Sequence, residues 1–467
     1  LLLPKIITRS TSNAHQSSSS KSDSELSGEV LMQVIRCVFI LLLGACSQWA
    51  SATLPIQHWQ AASGAQVYFV ESRDLPILDV SVDFSAGSGT DTPEKSGRAG
   101  LVLYLLSLGA GGLSEDQIAK AIADVGAQLG AHFDQDRAGI TLRTLSSARE
   151  RKQALDVLGR VLQYPEFVAT VLEREQQRII AGLKEADTKP GIIADRAVMK
   201  MLYGSHPYGL RGSGEIETVG ALRRDDLMDF YRSRYSAPGA VVSIMGDVSR
   251  AEAAAIAESL THELPPGKPA DIVPAVTEPV PEVKRIAHPA TQSHIQLAYP
   301  GLRRDDPDYF PLLVGNHVLG GGGFTSRLME EIRQKRGLAY SVHSHFMPLR
   351  EKGPFEISLQ TRKEQSEEAL VLTRKVLADF VSGGPTEKEL AEAKQNIIGS
   401  FPLRIDSNRK ILGYLAVIGF YDLPLTYLDD YLKAVGNVTV AQIKDAFQRR
   451  IKPEGMVGVV VGALEKK

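Results

Sequence analysis

The chain has 467 residues, 43% hydrophobic and 23% charged, with a formal net charge of -2. That length allows one to three domains, and the composition can fill ordinary cores. A near-neutral balance gives no electrostatic footprint for nucleic acid or an anionic membrane surface.

Residues 1–31 are rich in Ser and Thr, and the first Met is Met32. From there the chain reads MQVIRCVFILLLGACSQWASA. Arg36 supplies a positive start, Cys37 to Ala45 an apolar stretch, and Ala50-Ser51-Ala52 a small-residue cleavage site, so 32–52 reads as a secretory signal peptide. Residues 1–31 are then either an extension upstream of the true start or a disordered tail. Leu43-Gly44-Ala45-Cys46 also resembles a lipoprotein box, and acylation of Cys46 is the one route by which this sequence would engage a membrane. Either route exports the product, and the expected compartment is the periplasm. No later segment reaches the roughly 20 apolar residues of a membrane span. Cys37 and Cys46 are the only cysteines, so the rest of the chain must be held by core packing and not by disulfides.

Beyond residue 53, Ala65–Val70 and Ile77–Ala86 alternate apolar and polar residues at period two, as strands do. Helical patterns follow over Gly97–Leu108 and Ser114–Val125. The stretch AGITLRTLS reads as a strand, and 148–163 and 168–187 as two long helices. Ala240–Met245 (AVVSIM) has the continuous apolar character of a buried strand, closed by Gly246-Asp247.

This order then recurs. His294–Tyr299 (HIQLAY) corresponds to the early strand and Met456–Val461 (MVGVVV) to the late one, and both pairs are offset by about 215 residues. A common offset at two distant points indicates duplication. Between the copies, Leu264–Glu282 (LPPGKPADIVPAVTEPVPE) carries the prolines of an extended linker. The predicted class is α+β. The predicted domains are 53–263 and 283–467, joined by the linker at 264–282.

From Asp79 to Gly111 the chain reads DVSVDFSAGSGTDTPEKSGRAGLVLYLLSLGAG. This resembles the start of a pitrilysin/insulinase family domain: a strand, a Gly-Ser turn, an acidic loop and the helix that carries H-x-x-E-H. His206-Pro207-Tyr208-Gly209, the run Asp226–Tyr235, the strand ending in Gly246-Asp247, and LGGGGFTSRLMEEIRQKRGLAYSVHS (Leu319–Ser344) are also similar to that family. The resemblance extends over nearly all of the chain from about residue 60. It implies two homologous domains, each a mostly antiparallel sheet packed with long helices, arranged as a clam-shell.

The zinc motif is where the sequence departs. In active relatives two His residues four apart bind the metal and a Glu between them activates water. Here those positions hold Gly100, Leu103 and Tyr104. The third ligand, a Glu some 75 to 80 residues on, is expected near Ala181 or Gly182. None of these makes a metal site. None of the ten His residues begins H-x-x-E-H or H-E-x-x-H. His262-Glu263 is followed by helix-breaking Leu-Pro-Pro, and His343 and His345 share a strand face without an identifiable third ligand. The expectation is no metal and no cofactor in this chain.

Arg333 and Tyr340 are retained. The resemblance implies that such a pair comes from the C-terminal domain and serves a zinc site elsewhere. Attack on a peptide carbonyl builds negative charge on its oxygen; a Tyr hydroxyl stabilises it and an Arg holds a neighbouring carbonyl. Alternatively Arg333 caps a helix and Tyr340 packs on a strand, and Arg336 competes with Arg333 for the role. Gly320, Gly321, Gly322 and Gly323, followed by Phe324, lack the Lys-Ser/Thr of a phosphate loop. They form either a substrate-contacting loop with open backbone donors or a tight turn between helices.

Two readings follow. The chain is a zinc-free subunit that lends Arg333 and Tyr340 to a partner carrying H-x-x-E-H and a zinc ion, acting on peptides; or it is an inert peptide-binding or scaffold protein. An autonomous hydrolase finds no supporting Ser-His-Asp spacing or metal cluster.

Overall fold

The computed structural model describes residues 55–267 and 273–462. The signal and lipoprotein readings lie outside the described residues, as do 268–272 of the linker and the last five positions.

The first half contains β1 (Gln57–Gln60), β2 (Gln66–Glu71), β3 (Ile77–Phe84), the short hairpin β4 (Gly109–Ala110) and β5 (Leu113–Ser114), β6 (Gln128–Phe133), β7 (Ala138–Leu145) and β8 (Val241–Gly246). Three of its helices matter below: α1 (Arg98–Leu105), α2 (Ala169–Ala186) and α3 (Pro190–Tyr203). The second half contains β9 (Val283–Ile286), β10 (Gln292–Pro300), α4 (Tyr309–Asn316), β11 (Ala339–Phe346), β12 (Pro354–Arg362), α5 (Asn408–Phe420) and β13 (Val457–Val461).

The sheet orders are β1-β2-β8-β3-β7-β6 and β11-β12-β10-β13-β9. The second is the first without β1, read from the other edge. In both, one pair is parallel (β2 with β8, β13 with β9) and the remaining pairs are antiparallel. The duplication seen in sequence is therefore a duplication of topology.

Alternation explains how each strand lies. On β3, Leu78, Val80, Val82 and Phe84 enter the first core, whereas Asp79, Ser81 and Asp83 turn to the opposite, also buried, face. Each such Val, Leu or Phe contributes roughly 1.5–3 kcal/mol on leaving water. Helix starts are specified locally: Ser249 with Glu252 and Thr386 with Glu389 form reciprocal capping boxes, and Pro190 occupies the first turn of α3, where its missing N–H costs nothing.

The second face of each sheet is covered by a helix from the other half. Helix α3, from the first half, packs on β10 and β13, with Ala194, Val198 and Leu202 against Ala298, Val457 and Val459. Helix α5, from the second half, packs on β2, β3 and β8, with Leu412, Leu415 and Ile418 in one cluster with Tyr68, Val241 and Met245. At Gly419 a Cβ would lie 2.6 Å from Tyr68 and Val241, so the closeness of α5 to the first sheet requires glycine. A third fastening is buried Asp136, in the β6–β7 turn. It accepts from Tyr208, from Tyr421 at 2.9 Å and from the Arg350 backbone N–H at 2.6 Å.

Candidate functional site

Helix α1 carries the positions where the resemblance expects a metal motif. Asp91 starts it, accepting from the backbone N–H of Gly97 at 3.0 Å and of Ala99 at 3.1 Å. Burial pushes the Asp91 carboxyl up to about 6, against the pull of Arg98. Gly100 leaves no room for a ligand, because a Cβ would sit 2.9 Å from the Gly212 carbonyl oxygen. Leu103 is a core residue, 5% exposed. The Tyr104 hydroxyl donates to Glu175 on α2 at 3.0 Å and accepts from Arg178.

Ala181 and Gly182, where the resemblance expects the third ligand, are exposed on the later turns of α2 and offer no side-chain donor. The carboxylate nearest Tyr104 is Glu175, 71 residues away in sequence. Sequence reasoning did not single this residue out; the Arg-Glu-x-x-Arg pattern around it was the available signal. Its side chain is only 2% exposed, and Arg174 at 2.7 Å and Arg178 at 3.0 Å hold it. Burial alone would push the Glu175 carboxyl up, but the bonds from Arg174 and Tyr104 and the charge of Arg178 hold it below its usual range. Two guanidinium groups and a phenol now satisfy the one acid. No zinc site fits here, since a carboxylate without His partners and facing two fixed cations offers a metal neither ligands nor favourable charge. Among the described residues no group of three His, Cys, Asp or Glu side chains is placed to hold a metal ion.

In the second half, α4 runs into a wide turn at His317–Gly321, and Met329–Gln334 forms a second such turn. Gly337, at φ +61, reverses the chain into β11. Its N–H donates to Arg333 O at 2.9 Å, and Leu338 N–H to Ile332 O at 2.9 Å. This reversal brings Arg333 back over Tyr340: the guanidinium carbon lies 4.5 Å from the Tyr340 ring centre and 4.8 Å from that of Phe324. Tyr340 is 80% and Phe324 64% exposed. Arg336 is occupied elsewhere, donating to Glu331 at 2.7 Å, so Arg333 is the arginine paired with Tyr340.

A cavity of about 610 Å³ joins these residues. Gly320, Gly321, Gly323, Phe324, Arg333 and Tyr340 line it; Gly322 does not, being turned toward His317. Every lining residue lies between Leu302 and Pro348, so neither Gly100, Leu103 nor Tyr104 contributes. Tyr340 to Phe346 line it without a gap. Because successive side chains of a strand point to opposite faces, a cavity that touches all of them runs along the free edge of β11, whose other edge is paired with β12. The glycine run is a tight turn and a cavity wall at once: a Cβ on Gly320 would be 2.3 Å from the Ser344 hydroxyl and 2.7 Å from its N–H. Asn316 locks the turn to β11, donating to Ser344 O at 3.1 Å and accepting from its hydroxyl at 2.6 Å. His343 and His345 stack at 6.1 Å, and burial lowers the His345 pKa.

Comparison with known proteins agrees with this architecture. Residues 69–212 match the family description Insulinase (Peptidase family M16), and residues 221–397 match Peptidase M16 inactive domain. A crystal structure described as peptidase M16 inactive domain from Pseudomonas fluorescens is 38% identical; the match covers 89% of this chain and 99% of that one, with a TM-score of 0.86. The Helicobacter pylori protein named non-peptidase homolog YmxG is 24% identical over 91% of this chain and 98% of its own length. A Bacillus subtilis protein named uncharacterized zinc protease YmxG is 25% identical over 75% of this chain and 85% of its own length. The chain belongs to peptidase family M16, and its sequence contains no H-x-x-E-H.

Proposed function

We propose that the chain is the zinc-free subunit of a two-chain peptidase, lending Arg333 and Tyr340 to the zinc site of an H-x-x-E-H partner. The observation that carries this reading is the asymmetry within the chain. Its first half holds a carboxylate neutralised by two arginines, while its second half displays an aromatic hydroxyl and a guanidinium beside an open cavity. A tyrosine 80% exposed contributes little packing; presented to a partner, its O–H is free to donate to an oxyanion. Arg333, held between two rings, is restricted in orientation, and each ring contact is worth ~0.5–1 kcal/mol at such a site. The edge of β11 away from β12, apart from Ser344 whose carbonyl Asn316 already takes, offers backbone donors and acceptors to an extended peptide. The signal-like segment at 32–52 supports a periplasmic setting for this pairing, with the partner among exported proteins.

The second reading keeps the peptide and drops the catalysis, because the β11 cavity is complete within one chain. The deciding experiment is cleavage of a quenched fluorescent peptide by the H-x-x-E-H subunit of the same genome, with and without this chain. An increase of at least tenfold, about 1.4 kcal/mol of barrier, supports the shared site. If Tyr340→Phe leaves that increase intact, or if no increase occurs while the chain still binds peptide, the binding reading replaces it.

A further inference from the structure

A second cavity, of about 450 Å³, lies between α5 and the polar face of the first sheet, at its β6 edge. Nothing in the peptidase reading uses it, and it draws on both halves of the chain.

An account of its charges shows one cation left over. Arg143 is bound fork-to-fork by Asp79, at 2.7 and 2.9 Å. His132, Ser81 and Arg137 also line the cavity, and Asp83 behind them takes all three: His132, the Ser81 hydroxyl at 2.7 Å and Arg137 at 3.6 Å, with Arg137 also donating to Asp134 at 2.9 Å. Each carboxylate there already faces a cation. Arg409, in the first turn of α5, has no carboxylate partner among the described residues; its one hydrogen bond runs to the Gln128 amide oxygen at 2.5 Å. A guanidinium carries five N–H donors, so most of its fork remains available at the cavity wall.

The neighbouring groups are donors as well. The Thr141 hydroxyl faces the cavity beside Gly130, where a Cβ would stand 2.8 Å from it; glycine keeps that hydroxyl accessible. The first turn of α5 contains no acidic residue and no side-chain cap, so its N–H groups add positive potential next to Arg409. Leu412 and Ala416 continue the α5 face beyond Arg409 as an apolar wall, and Leu129 and Leu142 add apolar surface from the sheet. One uncompensated fork of N–H groups, a hydroxyl and an apolar wall suit a single planar anion with an organic body.

We propose that this cavity is a carboxylate-recognition site, in which Arg409 grips the two oxygens and Thr141 donates a further bond. The carboxylate belongs either to the C-terminus of a peptide or to a small organic acid. This inference is independent of the role given to Arg333 and Tyr340.

The test uses the full chain and isothermal titration with three probes: an apolar hexapeptide with a free C-terminus, the same peptide as its C-terminal amide, and benzoylglycine. The free-acid peptide is expected to bind at least tenfold more tightly than the amide, and Arg409→Gln to abolish that difference. Arg409 is exposed and bonded only to Gln128, so R409Q should keep the wild-type melting temperature; Thr141→Val should weaken binding by a smaller factor. Benzoylglycine binding lost in R409Q assigns the site to small organic acids; its failure beside a binding free-acid peptide assigns it to peptide C-termini. Equal affinity for acid and amide, an acid preference that survives R409Q, or no binding of any probe would overturn the proposal. Retention of the acid preference in Tyr340→Phe is expected, which keeps this test separate from that of the β11 groove.

Discussion

The hydroxyl of Tyr104 rests 3.0 Å from the carboxylate of Glu175, joining α1 to α2 beside the positions where the resemblance expects a zinc motif. A metal bridges through bonds to anionic and neutral ligands. Here Arg174 and Arg178 provide the positive charge from within the chain. These protein groups fasten the two helices to each other.

Chelator should therefore leave the thermal unfolding of this chain unchanged, and added zinc should not raise its melting temperature. Glu175→Ala should destabilise by about 1–3 kcal/mol, because it strips two arginines and a phenol of their shared acceptor. Urea denaturation measures the loss; a change below ~0.5 kcal/mol would mean the cluster is a surface ornament.

Gly320→Ala should cost about 1–3 kcal/mol and close part of the β11 cavity, since the added carbon meets the Ser344 hydroxyl at 2.3 Å and its N–H at 2.7 Å. Gly322→Ala should also cost stability, since its Cβ would meet the His317 carbonyl oxygen at 2.6 Å, but its added carbon points away from the cavity, which that residue does not line. Peptide binding compared with melting temperature separates the two: only the first variant should lose affinity.

Phe324→Ala should leave stability within ~0.5 kcal/mol, given the exposure of the ring. In the assembled peptidase it should lower the rate severalfold by freeing Arg333, with Arg333→Lys producing a similar loss because a point charge lacks the planar fork. Unchanged rates in both variants would remove Arg333 from the site.

The interlock of the halves has a pH signature. Glu356 on β12 is covered by α3 and lies 3.7 Å from His345 on the neighbouring β11. Burial, with the charge of Asp195 from α3, pushes its carboxyl up to about 7. Asp195 is itself raised by burial, while its bond to Gln296 on β10 opposes the rise. The folded value of Glu356 lies above the ordinary value of 4.5, so the folded chain holds a proton that the unfolded chain releases. That contribution is full below about pH 4.5 and is lost as pH rises through about 7, on the order of 1–3 kcal/mol across the window. Glu356→Gln should flatten this decline in melting temperature between pH 5 and pH 8; an identical slope in the variant would show that Glu356 does not govern it.

Much of the molecule was legible in the chain itself. Ile77–Phe84 and Gln292–Pro300 announce themselves by alternation, and Ala148–Gln163 by its apolar stripe, because period two and period 3.6 are properties of consecutive residues. The common offset between the halves foretold the repeated sheet order. The absence of H-x-x-E-H was visible at once, since it needs only the residues at three positions of one helix. Arg333 and Tyr340 could be picked out as a pair from their motif, but that Arg333 lies over the Tyr340 ring was decided by the turn at Gly337.

What sequence left open depends on contacts between distant segments. An apolar stripe says that a helix will be buried but not against what, so nothing in Pro190–Tyr203 or Asn408–Phe420 reveals that each crosses to the other half's sheet. The contact of Glu175 with Tyr104 escaped because it joins two helix faces that meet only in space. The Arg409 cavity is the clearest case: its cation comes from residue 409 and its hydroxyl from residue 141. Local backbone geometry and the exclusion of apolar residues from water are encoded residue by residue, and those the sequence determined; which charges are cancelled and which are left over is a sum over neighbours, and only the tertiary structure decided that.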